Sequence, residues 1–64
     1  MEEAELIRKA QELGSAAYHS GQPNLCAQDE DLLRLIIGTP GETSVKIAQA
    51  WKDAWAEAQG KERR

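Results

Sequence analysis

The chain has 64 residues, a formal net charge of −3, one Cys, one His, two Trp, one Tyr and no Phe. That length holds a single domain, and a core of this size seldom yields more than about 3–5 kcal/mol of net stability. One Cys excludes an internal disulfide, and one Cys with one His cannot supply a four-ligand structural zinc site. Close packing, or a second copy of the chain in a homodimer, is left to supply the stability.

The charge is unevenly spread. Residues 1–31 hold seven acids and two bases, for −5; residues 32–64 hold four acids and six bases, for +2. The ordinary reading is solvated helix faces whose two halves attract each other. Tight binding to nucleic acid is disfavoured, because neutralising phosphates requires clustered Lys and Arg. No apolar run approaches the ~20 residues needed to span a bilayer, and the first residues are acidic where a secretory signal would be basic. The expectation is a cytoplasmic protein with Cys26 as a free thiol.

Residues 3–19 form the first predicted helix. Leu6, Ala10, Leu13 and Ala17 recur at steps of three and four, with Ile7, Gly14 and Tyr18 beside them. Glu2, Glu3 and Glu5 suit the positive end of the helix dipole. Gly14 in a helix interior costs about 1 kcal/mol relative to Ala, so another backbone or a bulky ring must approach closely there; an indole of the third helix is the leading candidate. Gly21 and Pro23 stop this helix.

A second helix is expected over residues 25–37, capped early by Asn24 or late by Gln28 or Asp29; a short strand at Ile36-Ile37 is the rival reading, disfavoured because no second strand exists to pair with it. Leu32, Leu33, Leu35, Ile36 and Ile37 make a nearly continuous apolar run broken only by Arg34. A run apolar all round exceeds what one buried stripe requires. Leu32, Leu35, Ile36 and Arg34 are therefore taken as partner-facing, and Leu35→Glu is expected to disturb association before folding.

Gly38-Thr39-Pro40-Gly41-Glu42 reads as a helix stop followed by a start. Thr39 is the expected N-cap of a T-x-x-E capping box, with Pro40 at the first helical position. The third helix should run from about 40 to 59. Its inner stripe is Ile47, Trp51, Ala54, Trp55 and Ala58, flanked by Val45 and Ala48; Gly60 ends it and residues 61–64 fray. Trp51 and Trp55 are one turn apart, so both indoles share a face and serve as core anchors, partner contacts or both. The expected fold is all-α, a single domain over residues 1–60 of three helices, the first and third packed antiparallel around a short apolar middle helix.

No motif points to catalysis. His19 and Cys26 lack an oxyanion hole or enclosing pocket. Asp29 and Asp31 match no calcium loop and suit a helix start instead. The G-x-x-G of residues 38–41 lacks the basic residues and the sheet that accompany nucleic-acid clamps of that spacing. No cofactor, metal or enzymatic activity is expected.

Three separated segments resemble the ribosome modulation factor family of small bacterial proteins. They are the small-residue helix Ala10 to Gly21, the loop Pro23-Asn24-Leu25-Cys26, and the terminal W-x-x-G-W-x-x-A pattern, here Trp51-Lys52-Asp53-Ala54-Trp55-Ala56-Glu57-Ala58. Ala54 stands at the pattern's Gly and Ala27 at its usual Pro, and residues 29–43 read as an insertion. The resemblance implies a non-enzymatic, ribosome-associated translation modulator. Any RNA contact it implies would fall to Lys46, Lys52, Lys61, Arg63 and Arg64. The alternative is a phage- or mobile-element-borne inhibitor that blocks a bacterial host protein through protein–protein contact; an acidic surface and an apolar middle helix suit that role.

Overall fold

The computed structural model describes residues 2–62. They form three helices, α1 (Glu3–His19), α2 (Glu30–Ile36) and α3 (Gly41–Glu62), with a 3-10 turn at Cys26–Gln28. No strand occurs among the described residues. The fold is all-α, as the sequence predicts.

α1 has the predicted bounds and ends on a Schellman motif. The amide of Gln22 donates to the carbonyl of Ala17 at 2.9 Å and that of Gly21 to Tyr18 at 3.1 Å. Gly21 sits at φ +82°, where a Cβ would be strained.

α1 and α3 run in the same direction, not antiparallel. Lys46 Nζ near the start of α3 meets Glu3 at the start of α1, 3.2 Å away. Gly14 meets Trp51 and Ala54 midway, and the rings of Tyr18 and Trp55 meet further along. The reason is the connector: residues 20–40 carry the chain back along α1 before α3 begins. With a rise of about 1.5 Å per residue the 22-residue α3 is about 33 Å long, so it sets the long axis of a 36 × 20 × 15 Å molecule.

Gly14 marks the helix crossing, but what approaches it is backbone. A Cβ built on Gly14 would fall onto the carbonyl oxygen of Trp51, with Ala54 Cβ 3.2 Å away. The groove left open by the small residues thus receives the α3 main chain, not an indole ring.

The middle segment also differs from one helix over 25–37. Asp29, in an extended conformation at φ −92° and ψ 104°, separates the 3-10 turn from α2. Its Oδ1 accepts from the amides of Asp31 (3.0 Å) and Leu32 (3.2 Å), so the late cap prevails over Asn24. α2 ends in a type II turn: Ile37 at φ −56° and ψ 126°, Gly38 at φ +86°, and Thr39 N–H donating to Ile36 O at 3.0 Å.

That turn displaces the predicted capping box. Thr39 Oγ1 donates to the Ile36 carbonyl at 2.6 Å and meets Ser44 Oγ at 2.8 Å. With its hydroxyl proton and its amide both spent on Ile36, Thr39 closes α2 rather than opening α3. The Pro40 carbonyl accepts the Ser44 amide at 2.9 Å, as an N-cap carbonyl does, and α3 starts at Gly41. At its other end α3 passes through Gly60 to Glu62. Gly60 is followed by good helix formers, and Lys61 pairs with Glu57 one turn back at 3.5 Å.

The core comprises Leu6, Ala10, Ala17, Leu32, Ile47, Ala50 and Trp51, with Leu13, Cys26, Leu35, Ile36 and Trp55 among the residues packed partly against it. Val45, expected to flank the inner stripe, is 70% exposed. It stands two residues before Ile47, and at about 100° per residue that places it some 160° round α3 from the buried Ile47 side chain.

Candidate functional site: the tryptophan pair and the outer face of α2

The two indoles have different fates. Trp51 is fully buried. Its Nε1 donates to Asp29 Oδ2 at 2.8 Å, a buried bond across 22 residues of sequence. Asp29, itself 8% exposed, therefore accepts three N–H groups: two from the start of α2 and one from the centre of α3. Three donors satisfy a carboxylate that burial would otherwise penalise. The arrangement ties α2 to the α1–α3 pair, and it removes Trp51 from the partner-facing surface proposed for it.

Trp55 is half-buried. Its Nε1 donates to the Gln22 carbonyl at 3.0 Å. Tyr18 meets its ring edge-on, with centroids 5.3 Å apart and planes at 89°, and Tyr18 meets the His19 ring at 5.5 Å and 70°. Edge-to-face geometry of this kind is favourable by about 0.5–1.5 kcal/mol beyond area burial. The result is an aromatic corner at the end of α1, partly open to solvent.

On α2 the apolar run divides by direction. Leu32 is fully buried, and Leu35 and Ile36 are half-buried against the core. Of the α2 residues read as partner-facing, Arg34 alone is exposed; Leu32, Leu35 and Ile36 face inward because a short helix seated on two others buries most of its girth. The outward apolar residues are Leu33, 41% exposed, and Ile37, 77% exposed. With Glu30 and Arg34 they occupy positions i, i+3, i+4 and i+7, one face of a helix. That spacing was present in the sequence; what the sequence lacked was the direction of the core.

Beside this face lies an open groove of about 390 Å³, whose lining includes Leu6, Arg34, Leu35, Ile37 and Pro40. A second open groove, about 580 Å³, runs between α1 and α3 past Ser15, His19, Ala54, Glu57, Ala58 and Lys61.

The cations assigned to RNA do not converge. Lys46 pairs with Glu3 and Lys61 with Glu57. At about 100° per residue, Lys52 lies some 120° round α3 from Lys46 and 180° from Lys61, so the three share no face. Arg63 and Arg64 lie outside the described residues. Among the described residues no group of three or more His, Cys, Asp or Glu is placed to hold a metal ion, and no helix is long and apolar enough to cross a membrane. Cys26 is a half-buried free thiol.

Comparison with protein-family models, with curated proteins and with solved structures found no match.

Proposed function

We propose that this chain is a non-enzymatic, cytoplasmic binding protein that docks on a larger macromolecular partner, the ribosome being the first target by resemblance to the ribosome modulation factors. The observation that supports this reading is the convergence of the resembling segments. Gly14 of the first sits on the Trp51 backbone of the third. Tyr18 of the first and Trp55 of the third build a half-open aromatic corner. An indole held by its N–H and by an edge-on ring is a rigid platform for a stacked base or an apolar side chain.

Sedimentation of bacterial lysate containing the tagged chain tests it. The chain should travel with ribosomal particles at low salt, leave them as salt rises, and bind more weakly after Trp55→Ala. A chain that stays at the top of the gradient at low salt refutes the ribosomal reading.

A second reading, an inhibitor of one host protein, draws support from two observations. Leu33 and Ile37 are uncovered on α2, and two of the lysines that would meet RNA are already engaged by the chain's own glutamates. Affinity capture should then recover a single host protein whose retention survives high salt and is lost on Ile37→Glu.

A further inference from the structure

We infer that the outer face of α2 is a self-complementary surface on which a second copy of this chain pairs antiparallel across a two-fold axis. The face carries Glu30, Leu33, Arg34 and Ile37, all exposed, and Asp31 borders it. Its acids sit at the N-terminal end of α2 and its base sits past the middle. Laid against itself in the opposite direction, with the axis passing between positions 33 and 34, the face sets Leu33 opposite the methylene stem of Arg34 and Ile37 opposite that of Glu30 in the second copy, and brings the two Leu33 side chains to within one residue of each other along the axis. Glu30 then lies about three residues, or roughly 4.5 Å, along the axis from Arg34 of the second copy, within reach of two long side chains. The pairing occurs twice, as an isologous contact requires. A parallel arrangement would instead stack Arg34 on Arg34 and Glu30 on Glu30. The same charges are already satisfied by water in the monomer, so they select register and orientation while Leu33 and Ile37 supply the attraction.

Size sets the strength. α2 has seven residues and is only about 10 Å long, so with its flanking groove it buries less than the ~1,200 Å² of a stable interface. The dimer is a weak one that forms at high concentration. It is independent of the ribosomal reading, which uses the aromatic corner, and it competes with any host protein that would use α2.

Sedimentation velocity across about 10 µM to 1 mM, where contacts of this size become populated, tests the inference. The mean mass should climb from the 7.1 kDa monomer toward twice that value. Arg34→Glu alone and Glu30→Arg alone should each weaken association at least tenfold, because each sets like charges across the axis. An equimolar mixture of the two variants should associate again, since one copy then offers two acids and the other two bases; pairing within a single helix cannot produce that recovery. Ile37→Glu should abolish association in every combination. Far-UV circular dichroism of each variant should match the parent, these side chains being outside the core. A parent that remains monomeric throughout, single variants that associate as the parent does, or a mixture that fails to recover overturns the proposal.

Discussion

Asp29 should be the most sensitive polar residue in the chain. In Asp29→Ala two losses coincide. The α2 N-cap disappears, worth about 1 kcal/mol and at most about 2. The Trp51 indole N–H, fully buried, is left without its acceptor, which costs about 1–3 kcal/mol. Together they reach about 2–5 kcal/mol, comparable with the whole net stability of a domain this small. Two further variants separate the parts. Asp29→Ser keeps a capping oxygen but is too short to reach Trp51, so it should lose only the indole bond. Trp51→Phe removes the N–H while keeping an aromatic ring in place. Urea unfolding followed by far-UV circular dichroism gives the four free energies of the Asp29→Ser/Trp51→Phe cycle. A coupling of about 1 kcal/mol or more is expected, since the two groups share one buried bond. Additive losses, or an Asp29→Ala variant within about 0.5 kcal/mol of the parent, would refute the assignment of Asp29 as the tie between α2 and α3.

Other substitutions follow from the same packing. Gly14→Ala should destabilise despite the roughly 1 kcal/mol that Ala gains in helix propensity, because its methyl meets a main-chain oxygen that cannot rotate aside; Gly60→Ala, with nothing within 4 Å, should stabilise by up to about 1 kcal/mol, and thermal melts compare the two. Leu35→Glu should cost more than about 2 kcal/mol by bringing a charge to the edge of the core, whereas Ile37→Glu should stay within about 0.5 kcal/mol in the same denaturation assay. Lys46→Ala breaks an exposed ion pair and should change stability by less than about 1 kcal/mol, an effect that disappears when the melt is repeated in high salt.

The parts of this fold legible in the sequence are those written locally. The bounds of α1 follow from its apolar spacing and from Gly21, whose left-handed turn closes a Schellman motif within the same six residues. Asp29 was readable as one of three caps because capping is a contact over two or three residues. Its bond to Trp51 was not, because nothing local couples two positions 22 apart in the sequence. Helix direction was lost for a related reason. Small residues on α1 and large ones on α3 predict that the helices meet, yet they fit equally well in either sense; what decides is how residues 20–40 fold back, and a seven-residue helix between two turns leaves little trace in composition. The outer face of α2 was hidden by abundance. Where five of six residues are apolar, periodicity cannot name the buried ones, and Leu32 and Leu33 exchange roles only when a neighbour is placed beside them.

The attachment of α2 has a consequence for motion. Leu32, fully buried, the half-buried Leu35 and Ile36, and the Asp29 carboxylate hold it between the cap at Asp29 and the turn at Gly38, while α1 and α3 are joined along most of their length. Opening of the middle segment leaves the packing of the long pair in place, so its amides should exchange with deuterium no more slowly than those at the centre of α1 and α3. The small protein then behaves as a firm two-helix rod bearing a latch, and whatever seizes the outer side of that latch also decides how often it lifts.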